Sequence, residues 1–148
     1  MSVLNDQPRV IIFPKITDSR GNLTFIENNR QVPFDIRRVF YLYDIPSGES
    51  RAGHALKTCQ QLIIAISGSF DVILDSGQKR ETFRLDRPFE GLFVPPFIWR
   101  EIENFSAAST CLVLASEEYN EDGYIRDYEE FLKITHGNQP LNYPRSTP

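Results

Sequence analysis

Short runs of β-branched and aromatic residues, each stopped by a turn signal, constrain this chain more than any other feature. Arg9 to Ile16 is such a run, broken at Pro14, and Asp18-Ser19-Arg20-Gly21-Asn22 reads as a turn. Ile36 to Tyr43 has strong strand propensity. Leu62 to Ile66 ends at Ser67-Gly68-Ser69, Phe70 to Leu74 at Asp75-Ser76-Gly77, and Arg80 to Leu85 alternates as a half-exposed strand does. Gly91 to Val94, Ile98 to Ile102 and Thr110 to Ala115 complete the series. Strands with punctuation roughly every eight to twelve residues predict an all-β antiparallel sandwich or barrel.

The period changes only near the end. Tyr124, Ile125, Tyr128, Phe131 and Leu132 fall at helical spacing, which predicts one C-terminal helix of about ten to twelve residues, with Asp122 as its N-cap. His136 then sits at the helix C-terminus, where a cation favours the dipole, and takes a structural role. The chain is expected to form a single domain over residues 1–136, followed by a flexible arm over 137–148 that carries three prolines.

Bulk properties exclude several classes of function. A chain of 148 residues suits one core, and 41% hydrophobic residues with 24% charged ones describe a folded protein. The net charge of −4 argues against nucleic-acid binding, which usually needs a basic field. Cys59 and Cys111 lie in apolar strand-like sequence and read as buried reduced thiols, hence a cytoplasmic protein. No window is long and apolar enough for a membrane span, and the first residues lack a signal-peptide pattern.

Chemistry concentrates in Arg51-Ala52-Gly53-His54-Ala55-Leu56-Lys57, which leads directly into the apolar run from Leu62. His54 is one of two histidines, and Arg51 and Lys57 flank it. An imidazole beside a guanidinium at the lip of a core strand can be a general base tuned by its surroundings; the plain alternative is a half-buried strand histidine. Arg37 and Arg38 are adjacent in a strand and must face opposite ways, so one of them can face a cavity. A metal is not expected. The spacing from Gln61 to Gly68 and from Arg100 to Asn104 resembles the two cupin motifs, yet the ligand places hold His54, Leu56, Gln60 or Gln61, and Arg100. One imidazole, an amide and a guanidinium cannot hold a divalent ion.

Five segments in order resemble the sugar nucleotide 3,4-ketoisomerases, the WxcM-like, FdtA-type cupins that act on dTDP-4-keto-6-deoxyglucose. They are Asp18 to Leu23, Pro33 to Val39, Arg51 to Lys57, Gly91 to Glu101, and Leu114 to Tyr128. The resemblance implies a cupin-type antiparallel jelly-roll barrel, a homodimer, no metal or other cofactor, and a dTDP-linked keto-sugar in the barrel mouth. It implies a place in deoxyamino-sugar biosynthesis for surface glycans such as O-antigen. His54 is then the base that removes the C3 proton. Arg51 and Arg20 stabilise the enediolate oxygens or bind the pyrophosphate. Arg100, Lys57, Gln61, Phe40, Arg38 and Trp99 hold the substrate.

Two positions depart from the family pattern. Leu56 stands where relatives carry a second histidine, and Phe40 where they carry a tyrosine. Neither side chain can return a proton, which leaves that step to water or to another residue such as Tyr41 or Tyr43. The alternatives to isomerisation are epimerisation of a related dTDP-keto-sugar and nucleotide-sugar binding without turnover.

Overall fold

In the computed structural model, which describes residues 7–137, hydrogen-bonded ladders gather the short runs into two antiparallel sheets and one hairpin. The first sheet holds β1 (Arg9–Ile12), β4 (Arg38–Leu42), β6 (Gln61–Ser67), β9 (Glu90–Val94) and β11 (Thr110–Ala115), in the order β1-β9-β6-β11-β4. The second holds β5 (Arg51–Leu56), β7 (Phe70–Asp75), β8 (Arg80–Leu85), β10 (Trp99–Glu103) and β12 (Tyr124–Ile125), in the order β12-β5-β10-β7-β8. Pro14 separates β1 from β2 (Lys15–Asp18), which pairs with β3 (Gly21–Thr24) as a hairpin across the expected turn. The all-β antiparallel architecture anticipated from the strand pattern is what forms, packed as the jelly roll that the resemblance implies. Its two sheets face each other as separate ladders and do not close into one continuous barrel.

The core lies between the sheets because each strand alternates. Ile63, Leu92 and Val113 project inward from the first sheet and pack against Val72, Leu74 and Ile102 from the second. The opposite face of the first sheet is covered by the segment after β1, where Phe13, Val32 and Phe34 close over Leu62, Ile64, Phe93 and Leu114. Gly91 makes this possible, since a Cβ there would lie 2.5 Å from the Phe13 ring.

The C-terminal region differs from the expected helix. Asn120, rather than Asp122, caps a single 3-10 turn over Glu121–Gly123, its side chain accepting from the Asp122 amide. Tyr124 and Ile125 then pair with Leu56 and Ala55 as β12, and the helix α1 covers only Tyr128–Gly137. The open edge of β5 supplies ladder bonds that one further helical turn would not, and backbone pairing overrides the helical spacing. The Asp127 carboxylate accepts from the Glu129 amide at 2.9 Å and marks the true start of α1. His136 donates from Nε2 to the Gly77 carbonyl at 3.0 Å, the structural role expected of it. Beyond Gly137, the arm lies outside the described residues.

Helix α1 is moored by Phe131, which is fully buried with Ala55, Trp99 and Ile125. The Phe131 ring centroid is 5.8 Å from that of Trp99, the single tryptophan, and the Tyr128 hydroxyl donates to Asp75 at 2.6 Å. Phe131→Ala is expected to cost about 3–5 kcal/mol, because burial is lost and a cavity is left. It should shift Trp99 emission to the red; unchanged emission and an unchanged urea midpoint would contradict this mooring.

Candidate active site

A cavity of roughly 350 Å³ opens between the inner faces of the two sheets. Phe40, Leu42, Ile63 and Val113 supply its apolar wall from the first sheet, while Arg51, His54, Arg100 and Tyr124 reach it from the second. Among the described residues three arginines line it, Arg126 being the third, and no carboxylate does.

One irregularity places two of these residues. In an even strand, residues three apart face opposite ways, so Arg51 and His54 would not meet. Arg100 pairs with His54 but Glu101 pairs with Ala52, which leaves Gly53 as the extra residue of a β-bulge. Gly53 sits at φ +88°, a conformation that costs any L side chain about 1–2 kcal/mol. The bulge restores Arg51 and His54 to the same side.

Arg100 is 1% exposed. Its Nη1 donates to Gln61 Oε1 at 2.7 Å and its Nη2 to the Ile98 carbonyl at 3.0 Å, while Nε finds no protein partner. Burial lowers its pKa to about 10, so it stays charged at neutral pH. Gln61 Nε2 and His54 Nδ1 are likewise buried without protein partners. For His54, burial first, then the positive charges of Arg100, Arg126 and Arg38, lower the pKa to about 3 against a partial opposition from Glu121. The imidazole is therefore neutral, the form that can accept a proton.

Tyr124 forms the remaining wall. Its ring centroid lies 4.9 Å from that of His54, and its hydroxyl accepts from Arg38 Nη2 at 3.2 Å. The Arg126 guanidinium lies 4.4 Å from the Tyr124 ring centroid and is held by Glu121 through two bonds of 2.7 and 2.9 Å. Tyr119 also donates to Glu121, at 2.6 Å. The Arg126 bonds, with that of Tyr119, pull the Glu121 carboxyl down to about 2, and Glu121 in turn raises the pKa of Arg126.

The residues singled out from sequence divide into three groups. Arg51, His54, Gln61, Arg100 and Phe40 meet at the cavity, and Arg38 stands behind them against Phe40 and Tyr124. Trp99 does not join them: as the strand neighbour of Arg100 it faces the other way, into the α1 cluster, donating to Glu101 at 2.9 Å. Lys57, past the end of β5, is exposed and does not line the cavity. Arg20 lies at the β2–β3 turn with its side chain 88% exposed and ion-paired to Asp18 at 2.6 Å. Its hairpin flanks Ile64, Ile66 and Leu112 on the outer face of the first sheet, a sheet's thickness from the cavity.

Tyr41 and Tyr43 are 59% and 60% exposed and line a separate surface depression, so neither reaches the cavity of its own chain. Leu56 is buried with Cys59, Ala115 and Tyr124. Tyr124 and Arg126 were missed because their segment reads as helix; Gly123, which ends the 3-10 turn, was the available sign of a break there. Among the described residues, no three His, Cys, Asp or Glu side chains gather as a metal site.

Residues 6–136 match the family model FdtA, described as WxcM-like, C-terminal. The chain is 45% identical over 125 residues to a TDP-4-oxo-6-deoxy-alpha-D-glucose-3,4-oxoisomerase of Aneurinibacillus thermoaerophilus, covering 84% of this chain and 90% of that one. The structure is similar to that of a 3,4-ketoisomerase from Helicobacter canadensis, with 40% identity, a TM-score of 0.85, and coverage of 87% and 97%. It is also similar to a histidine-to-asparagine variant of a 3,4-ketoisomerase from Thermoanaerobacterium thermosaccharolyticum in complex with TDP-4-keto-6-deoxyglucose, with 33% identity, a TM-score of 0.87, and coverage of 93% and 98%.

The buried imidazole has a consequence for acid stability. Because the folded pKa of His54 lies below the ordinary 6.5, the unfolded chain binds a proton that the folded chain refuses. Its contribution is present above pH 6.5 and declines as pH falls toward about 3, by at most about 1.4 kcal/mol per unit. His54→Asn should lose less thermal stability between pH 7 and pH 4 than the unsubstituted protein; equal losses would refute the burial argument.

Proposed function

The chain belongs to the FdtA family of WxcM-like, C-terminal proteins and is an isomerase, and we propose that it converts dTDP-4-keto-6-deoxyglucose to a dTDP-3-keto-6-deoxyhexose through an enediolate. The observation that carries this reading is the pairing, in one cavity, of a neutral imidazole with a buried guanidinium that has no carboxylate partner. A cation placed so stabilises an anion that appears only during reaction, which is where binding energy accelerates chemistry. His54 takes the proton from C3, made acidic by the neighbouring carbonyl, and the charge spreads onto oxygens facing Arg100. The proton returns at C4. Arg51 and Arg126, the other cavity arginines, suit the pyrophosphate, since planar forks bind phosphate oxygens bidentately.

An imidazole with pKa about 3 is a weak base, and the substrate itself corrects this. An anionic nucleotide among Arg51, Arg100 and Arg126 offsets the charges that hold the pKa down, so proton affinity rises on binding. The relative solved with TDP-4-keto-6-deoxyglucose after loss of a histidine supports the substrate class. The free, buried thiols of Cys59 and Cys111 support a reducing, cytoplasmic setting, and no described helix is long and apolar enough to cross a membrane.

The reading includes a homodimer. Val39, Tyr41 and Ile66 stand exposed on the outer face of the first sheet, and Ile16 and Leu23 are exposed opposite one another on the hairpin. A second copy can cover these side chains. Arg20 rides on that hairpin, so any contribution it makes to catalysis crosses the subunit boundary. Light scattering should give twice the chain mass; a monomer that turns over substrate would remove both the dimer and the role of Arg20.

Proton NMR in deuterated water tests the chemistry. A 3-keto product is expected, with deuterium at C4 wherever the protonated His54 exchanges with solvent before it returns the proton; an unmoved keto group with inverted C3 would indicate epimerisation, and an unchanged spectrum a binding module. His54→Asn should lower turnover by about 10²-fold or more. The acid limb of kcat/KM, which reports the free protein, should lie at lower pH than that of kcat.

A further inference from the structure

Isomerisation moves two protons, one from C3 to C4 and one from O3 to O4. A single imidazole accounts for one of them. A second group must give a proton to one oxygen and take one from the other, so it must exist in both protonation states. The arginines cannot, because a guanidinium in a protein stays protonated. Gln61 does not titrate and its carbonyl oxygen is occupied by Arg100. Phe40 has no proton to give, and the Ser50 hydroxyl lies on an exposed loop, hydrogen-bonded to no described base.

We infer that the phenol of Tyr124 is this second group, a catalytic acid and base that carries the oxygen-bound proton while His54 carries the carbon-bound one. The inference rests on the isomerase reading above. Tyr124 lines the cavity on β12, directly beside β5, and its ring lies against that of His54 with centroids 4.9 Å apart. Its oxygen accepts from Arg38 Nη2, and no described residue accepts the phenolic proton in return, which leaves that proton free to point at a ligand. Two cations stabilise the phenolate when the proton leaves: Arg38 at the oxygen and Arg126 over the ring face at 4.4 Å. Leu56, opposite Tyr124 in the ladder, packs against the ring and fixes its place.

The steps balance with these two groups alone. His54 takes the C3 proton, the C3–C4 double bond forms, and the C4 oxygen takes the phenolic proton of Tyr124 as its carbonyl opens. The phenolate then takes the O3 proton. The C3 carbonyl forms, and C4 takes the proton from His54. Both side chains end as they began, and no electron leaves the sugar.

Tyr124→Phe keeps the ring against His54 and under Arg126 but removes the transferable proton. Calorimetry should show dTDP binding within about threefold of the unsubstituted chain, while kcat for dTDP-4-keto-6-deoxyglucose falls about 10²-fold or more. In deuterated water, C3 exchange should fall far less than isomerisation, raising their ratio about tenfold or more, because His54 still enolises while the oxygen relay is gone. Isomerisation within about threefold of the unsubstituted rate, or exchange and isomerisation falling in step, would overturn the role. If Tyr124→Phe does not fold, 3-fluorotyrosine at 124 decides instead: its more acidic phenol should move the alkaline limb of kcat to lower pH, and an unmoved limb overturns the inference. The unsubstituted chain separates the two claims. No turnover by it removes the isomerase reading and this role together, whereas turnover matched by Tyr124→Phe removes the role of Tyr124 only.

Discussion

A guanidinium at 1% exposure, bridging two sheets through a glutamine and lacking a carboxylate among the described residues, is the interaction on which the site depends. Arg100 belongs to β10 and Gln61 to β6, so their 2.7 Å bond ties one face of the jelly roll to the other across the cavity. Burying an uncompensated charge costs several kcal/mol even after relaxation, and a core residue in its place would be more stable. The surrounding fold offsets that cost with the dense inner layer of Ile63, Val72, Leu92, Ile102 and Val113. What the protein retains is an electrostatic demand that only an anionic ligand meets. Stability given up at a buried polar site in this way is a common mark of function.

The same charges act on the base. Arg100, Arg126 and Arg38 all disfavour a second cation at His54, and burial disfavours it further. The cavity wall thus keeps the imidazole neutral without a described protein partner for Nδ1. Geometry supplies the rest: without the bulge at Gly53, Arg51 would turn away from His54, and the cavity would lose a cation from its wall. Position and protonation state are set by different devices, one a backbone irregularity and the other a field.

Much of this was legible in the chain. Strand runs cut by Pro14, Ser67-Gly68-Ser69 and Asp75-Ser76-Gly77 became β1, β6 and β7 with only end-residue differences, because turn chemistry is local. His54 could be singled out as one of two histidines, flanked by Arg51 and Lys57 at the lip of an apolar run, and Arg100 from the cupin-like spacing and the family resemblance. Trp99 and Lys57 do not line the cavity for one reason, which is that neighbours of a site residue in a strand belong to the opposite face or to its end. Arg20 lies away from the cavity of its own chain for another, since the chain leaves the inner layer at Phe13 and the hairpin lands on the outer side of the first sheet. Gly53 gives no sign in sequence that it bulges; that depends on its partner strand.

The region from Glu121 to Arg126 shows the limit most clearly. Tyr124, Ile125, Tyr128, Phe131 and Leu132 satisfy a helical period, yet Tyr124 and Arg126 are two apart, and only an extended backbone sets both beside the same cavity. A free edge on β5, invisible in the local sequence, selects the strand. Once extended, the segment walls the cavity with a phenol and a guanidinium, and Glu121 anchors the guanidinium from outside while opposing the positive field at His54 only in part. Had the helix begun at Asp122, the edge of β5 would be bare and His54 would face water. The short strand is therefore what walls the cavity beside His54, and part of the desolvation of the base follows from it.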